Sequence, residues 1–403
     1  MKWKLDDDLD KIRDEFPILS KCVYLLSNSL GAVPRKTKEE LDRFYSLWAE
    51  FGAGAWDREW WGMANRVGNA VSQFLGGEKN SVTMQSNATQ CHWIALSTQF
   101  KKNISRNKII MTDHEFPSVI YAIHKIAEFT GWTIDMVESQ GEIGIDAQRI
   151  IDRIDDNTLF VSTSHVCFKT AFVQDISQIA KKAKTAGALT LIDGYHAPGT
   201  IPVNLNDLNV DFYIGGCLKW LCGGPGNAFL YVRPELSRES TPILTGWFAH
   251  KSPLDFDIKM EYTQEAYRFL SGTPPIPSLY TAITGLNIVK EIGIQQIRKK
   301  SSKQTSAIIQ NAKRHGFKIF SSENSDQRGG AVSLNCPHAF QVRQALEERG
   351  FILDFRKGQK QECDVLRIAP HFYSKDEEID QLFEAWEDIL HKKTYEKYSS
   401  ELT

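Results

Sequence analysis

Through the middle of this 403-residue chain, short apolar runs rich in β-branched residues alternate with helical patterns. The runs lie at 108–112, 132–137, 158–162, 189–193, 212–215 and 228–232, and helical stretches at 88–100, 119–129 and 176–186 stand among them. Strands joined through helices run parallel, because the connection is a crossover rather than a hairpin, and helices then cover both faces of the sheet. The expectation is an α/β fold with a large, mostly parallel sheet. In such a sheet ligands lie beyond the carboxyl ends of the strands, so the residues that end each run are the ones to read for chemistry.

Two of those ends stand out. The run Ala188-Leu-Thr-Leu-Ile-Asp193 finishes in a carboxylate, and Asp211-Phe-Tyr-Ile-Gly-Gly-Cys-Leu-Lys219 passes through two glycines to a lysine, followed by Gly223-Gly-Pro-Gly226. One strand ending in Asp and a later one running into Lys between glycines is what a pyridoxal phosphate site needs. The amine forms a Schiff base with the aldehyde, and the carboxylate pairs with the pyridinium nitrogen. The alternative for Asp193 is the cap of a following helix. His196 follows three residues on and either touches the cofactor or substrate or is structural. Met84-Gln-Ser-Asn87-Ala-Thr89 opens a helix whose free amides form a phosphate site, unless Ser86 or Asn87 is only a cap. Phe116 follows the 108–112 run and either stacks on the cofactor ring or packs in the core. Arg367 alternates with apolar neighbours in Val365-Leu-Arg-Ile-Ala-Pro370; its guanidinium suits a substrate carboxylate, and the plain alternative is a surface ion pair.

Beyond a rigid turn at Ser271-Gly-Thr-Pro-Pro-Ile-Pro277, a long helical pattern runs from 278 to 314, broken near Gly293. A smaller α+β pattern follows: a strand at 331–334, a helix at 340–349, a strand at 366–369 and a last helix at 375–391. The polar 392–403 segment is expected to fray. Trp247, in Leu244-Thr-Gly-Trp-Phe-Ala-His250, is too apolar for open water and belongs to core or interface.

Composition narrows the classes. Apolar residues make up 42% and charged ones 24%, and the formal net charge is −2. Nothing here suggests a nucleic-acid or membrane partner. The charged start, Met1-Lys-Trp-Lys-Leu-Asp-Asp-Asp, has no apolar signal core. Seven cysteines without a Cys-x-x-Cys pair argue for free thiols and a cytoplasmic setting. Cys217 and Cys222 are expected as buried small hydrophobes. Cys363 lies only four residues before Arg367 and lacks the Ser/Gly/His-rich loop of a desulfurase cysteine. No metal site is expected.

Taken together, the segments resemble kynureninase and its relatives among the fold-type-I, class-V pyridoxal phosphate enzymes. The resemblance rests on Asn28-Ser29-Leu-Gly31, Phe116-Pro-Ser118, Ser164-His-Val166, Asp193-x-x-His196, Lys219 with Gly223-Gly-Pro-Gly226, Gly246-Trp-Phe-x-His250, Gly272-Thr-Pro-Pro-Ile276 and Arg367-Ile-Ala-Pro370, in that order along nearly the whole chain. It implies a seven-stranded sheet in a large domain at 36–285, a small domain at 286–403, and an N-terminal segment, 1–35, packed with the small domain. It further implies a homodimer with shared active sites, in which Trp247 and Thr273 reach the partner's cofactor phosphate. Asn87, Ala88 and Thr89 would bind phosphate, Phe116 would stack on the ring, and Lys219, Asp193 and His196 would do the chemistry. Arg367, Asn28 and Ser29 would hold the substrate. The implied activity is hydrolysis of the Cβ–Cγ bond of an amino acid with a γ-carbonyl, as in tryptophan catabolism. The same superfamily also contains β-lyases and aminotransferases, and a folded but catalytically idle cofactor-binding protein is the third reading. Three segments depart from the family pattern. Leu218 replaces the Tyr before the lysine, Val119 replaces an Asp, and His165-Val-Cys-Phe-Lys-Thr170 replaces His-Val-Asn-Tyr-Arg-Thr. The cofactor-binding half of the pattern is kept and part of the reaction-specific half is altered.

Overall fold

The computed structural model describes residues 3–100, 105–358 and 364–398. Cys363 falls outside them. Seven strands make the large sheet: β1 (Val82–Gln85), β2 (Lys108–Thr112), β3 (Thr133–Val137), β4 (Thr158–Ser164), β5 (Leu189–Asp193), β6 (Phe212–Gly216) and β7 (Ala228–Val232). Their spatial order is β1-β7-β6-β5-β4-β2-β3. Six strands run in one direction. Only β7 runs against both of its neighbours, β1 and β6.

The strands read as continuous apolar runs because both faces are covered. In β6, Tyr213 faces one core while Phe212 and Ile214 face the other; in β7, Phe229 and Tyr231 oppose Ala228, Leu230 and Val232 in the same way. The first core takes in the helices Met63–Phe74 and Ile276–Ile292, and the second takes in Ala88–Ser97 and Pro117–Thr130. The period-2 alternation of a strand thus divides one sequence run between two helical layers.

The boundaries expected for β5, β7 and the helix Ile176–Ala186 coincide with the observed ones. The long C-terminal pattern is two helices, Ile276–Ile292 and Ile294–Arg314, broken at Gly293, whose φ of +87° suits a residue without a Cβ. The division anticipated at 285 therefore lies within a helix.

After these helices comes a four-stranded antiparallel sheet, ordered Asp354–Arg356, Val365–Ile368, Val332–Asn335 and Lys318–Ile319. The helices Ala339–Glu348 and Glu377–His391 pack on it. The N-terminal segment ties to this unit: Val23–Tyr24 pairs in parallel with Phe351–Ile352, and Leu26 bridges Ala369. The expectation of fraying after 392 is corrected for the described residues. Tyr395 and Tyr398 pack on the small core, Tyr395 stacks on His338, and Lys397 pairs with Glu348 at 2.5 Å. Two aromatic rings in a polar-looking tail supply the apolar area that holds it down.

Candidate active site

Five strand ends meet at one edge of the large sheet and enclose a cavity of about 220 Å3. Asn87, Ala88 and Thr89 enter it after β1, and Phe116, Ser118 and Val119 after β2. Ser164, Val166 and Phe168 come from the end of β4 and beyond, Asp193, Tyr195 and His196 from the end of β5, and Leu218 and Lys219 follow β6. Seven of the residues expected to act are thus gathered by topology alone: Lys219, Asp193, His196, Phe116, Asn87, Ala88 and Thr89; the departing Leu218 lines the cavity with them.

The Lys219 amine is held at 2.5 Å from His196 Nε2. Burial pushes its pKa down to about 7; the Arg367 charge adds to this and Asp193 opposes it. Burial first, then the Lys219 and Arg367 charges, keep His196 well below the usual histidine range, so the imidazole is neutral. The lowered pKa gives the amine a neutral fraction near pH 7, and the neutral form is the one that attacks an aldehyde. Asp193 is buried, and its Oδ1 accepts from the Tyr195 N–H at 2.8 Å. No helix follows it, which removes the capping alternative.

The helix Ala88–Ser97 begins at the cavity. Asn87 caps it, accepting from the Gln90 N–H at 2.9 Å. The amides of Ala88 and Thr89 stand in the first turn, where helix geometry provides no acceptor within the helix. Capping and anion binding are compatible here, since the Asn87 side chain satisfies the Gln90 amide and not those of Ala88 and Thr89, which line the cavity. Phe116 is 42% exposed, which rules out the core alternative, and the Phe168 ring meets it edge-on with centroids 5.3 Å apart.

Arg367 does not line this cavity. It is buried rather than on the surface, so the surface ion pair is also corrected. Its Nε donates to Asp354 Oδ2 at 2.7 Å, its Nη2 donates to the same oxygen, and its Nη1 reaches the Phe168 carbonyl. Arg356 donates to the other Asp354 oxygen at 2.6 Å. Two guanidiniums sharing one carboxylate leave a net positive charge near the site, which is felt at Lys219 and His196. Asn28 is buried, and neither polar atom of its side-chain amide has a hydrogen-bond partner among the described residues. Ser29 is half-buried beside it. Their segment lies against the lysine loop: the Gly31 N–H donates to the Leu218 carbonyl at 3.0 Å, and a Cβ on Gly31 would overlap the Lys219 carbonyl. A buried amide without partners is costly and marks a place where a polar ligand fits. Trp247 is 37% exposed in an aromatic cluster with Trp61, Phe248 and Phe256, and Thr273 is exposed; neither joins the cavity of its own chain.

Sequence reasoning missed Glu115. This carboxyl is buried at the turn before Phe116, where it accepts from Thr112 Oγ1 at 2.6 Å, Ser164 Oγ at 2.5 Å and the Ser164 N–H at 3.1 Å. Burial raises its pKa to about 7, against the pull of these hydrogen bonds, with the Asp193 charge adding to the rise. Only its place between Asp113-His114 and Phe116 at a strand end could have flagged it. Asp354 and Arg356 were missed as well.

The match to the class-V aminotransferase model spans residues 23–382. The chain belongs to the class-V aminotransferase family. It is 29% identical to the kynureninase of Geobacillus thermodenitrificans over 99% of this chain and 96% of that one. It is also 29% identical to the kynureninase of Pseudomonas fluorescens, over 96% and 94%. Among solved structures, the apo cysteine desulfurase of Thermococcus onnurineus NA1 superposes with a TM-score of 0.84 at 20% identity, covering 95% of this chain and 98% of the other. A lysine variant of C-DES, with glycine covalently linked to its pyridoxal phosphate, gives 0.83 at 20% identity over 93% and 99%. These structures share the α/β fold of the large sheet and the smaller C-terminal unit. Pyridoxal 5'-phosphate is the cofactor of this class-V enzyme, and the donor set fits it. The chain offers an amine with a substantial neutral fraction near pH 7, a buried carboxylate for the ring nitrogen, a half-exposed aromatic face and a helix N-terminus for the phosphate.

Proposed function

We propose that the chain is a kynureninase-like hydrolase that cleaves the Cβ–Cγ bond of an L-amino acid carrying a γ-carbonyl. L-kynurenine or 3-hydroxykynurenine would give anthranilate or 3-hydroxyanthranilate plus alanine. The observation that carries this reading is the match to kynureninases over nearly the full length of both chains. The bound cofactor supplies an electron-withdrawing ring conjugated to the substrate α-carbon. Lys219 Nζ would hold the cofactor through its aldehyde carbon, and the free amine would take the proton from the substrate Cα and return it. A pKa of about 7 suits an amine to both directions of transfer near neutral pH. Asp193 would pair with the ring nitrogen of the cofactor. His196, neutral and in contact with the amine, orients Nζ and accepts its hydrogen bond. Asn87, Ala88 and Thr89 bind the phosphate, and Phe116 covers a ring face. Arg367 supplies positive charge for the substrate carboxylate, with Asn28 and Ser29 as polar neighbours. Trp247 and Thr273 complete the phosphate site of a second copy in a cytoplasmic homodimer. Incubation of the pure protein with each kynurenine tests the reading. Anthranilate or its hydroxy form together with alanine is expected, and neither product from either substrate refutes it.

Leu218 supports a second reading. An apolar side chain lines the cavity where the family carries a phenol, which removes a proton donor from beside the lysine and favours β-elimination, as in a C–S lyase. Pyruvate and ammonia from a cysteine conjugate, without alanine, would select it; transamination would instead leave a keto acid.

A further inference from the structure

Tyr195 stands between Asp193 and His196 and lines the same cavity, yet none of the chemistry above uses it. The Lys219 amine lies over its ring, 4.9 Å from the centroid, and also over the Phe116 ring at 5.9 Å. Phe116 follows β2 and Tyr195 follows β5, so two aromatic rings from different strands face one amine. The Tyr195 ring is seated on β6: a Cβ built on Gly216 would overlap its outer edge, including the hydroxyl. Gly216 is a strand residue with no positive φ, so its backbone places no demand for glycine. Its missing side chain is explained by the ring lying where a Cβ would be. The phenol has no hydrogen-bond partner among the described residues, so packing, and no polar tether, holds the ring there. Any side chain at 216 would have to displace this ring.

We propose that Tyr195 is the second aromatic wall of the cofactor slot, facing the amine as Phe116 does, and that Gly216 is the seat that keeps its ring out of the slot. The pair acts as a unit: a large residue at 195 requires the smallest one at 216. The inference rests on pyridoxal phosphate binding at this cavity and is independent of which reaction follows.

The test is titration of the full-length protein, freed of cofactor, with pyridoxal 5'-phosphate, followed by visible absorbance and by quenching of intrinsic fluorescence. Tyr195→Phe keeps the ring and is expected to bind within about twofold of the parent. Tyr195→Ala loses the wall and is expected to bind about tenfold more weakly, the scale of one aromatic contact. Gly216→Ala is expected to weaken binding by more than Tyr195→Ala does, because the displaced ring fills the slot. The double variant Tyr195→Ala/Gly216→Ala is then expected to recover to the affinity of Tyr195→Ala alone. That recovery is the signature that a merely structural glycine would not give. Parent-like binding by Tyr195→Ala overturns the proposal, and so does a double variant as weak as Gly216→Ala. If Gly216→Ala does not fold, as judged by circular dichroism, the two single Tyr195 variants still decide. A parent protein that takes up no cofactor refutes the cofactor assignment instead, so the two failures are distinguishable.

Discussion

Replacing Lys219 with methionine should stabilise the cofactor-free protein, and only below the pH at which an ordinary lysine titrates. The amine has a pKa of about 7 in the fold against 10.5 for a free side chain, chiefly because burial disfavours its charged form. Between those values the unfolded chain binds a proton that the folded chain does not, so stability rises with pH across that window. The gap between about 7 and 10.5, at ~1.36 kcal/mol per pH unit, sets a penalty of about 5 kcal/mol at and below pH 6. Methionine has similar length, no charge and no penalty. It also leaves His196 Nε2 without its 2.5 Å partner, which returns about 1 kcal/mol. Net stabilisation of about 2–4 kcal/mol is therefore expected at pH 6, shrinking to nothing or reversing by pH 10.5. Urea unfolding of both proteins at pH 6, 8 and 10, monitored by circular dichroism, reads the difference directly. An effect that is absent at pH 6, or that does not change with pH, would refute the argument that this lysine is held neutral by its surroundings.

Three further outcomes follow from the geometry. Glu115 has the opposite pH signature. Its folded pKa of about 7 exceeds the free value of 4.5, so its contribution is present below pH 4.5 and is lost as pH rises to 7; Glu115→Gln should flatten the melting-temperature profile across that window, removing a change of about 3 kcal/mol. Asp354→Ala should cost about 3–5 kcal/mol in unfolding free energy, because it strands the buried Arg367 charge; a loss below 1 kcal/mol would mean that the pair contributes little. Phe116→Ala should barely change the melting temperature, since the ring is half exposed, yet weaken pyridoxal phosphate binding about tenfold by equilibrium titration.

The cofactor was legible because its requirements are local. A strand ending in Asp193 and another running into Lys219 between glycines are each written in one contiguous segment. The sheet rules then place both at carboxyl ends without further knowledge of the fold. Strands β5 and β7 were legible for the same reason, since continuous apolar runs bounded by turn residues carry their own limits. Arg367 shows where that reading stops. Its residue type suggested a carboxylate partner, but only the folded chain supplies Asp354, thirteen residues away on a neighbouring strand, and turns an expected surface group into a buried one.

Tertiary structure alone decided the remaining features. It set the strand order, with β7 reversed between β1 and β6. It buried Glu115, whose exposure no periodicity encodes in a turn, and it seated Tyr195 on Gly216, a pairing between residues that share no local pattern. The physical reason is common to all of these. Propensity and hydrophobic period act over a few residues, whereas burial, charge pairing and steric fit depend on which distant segments the fold brings together.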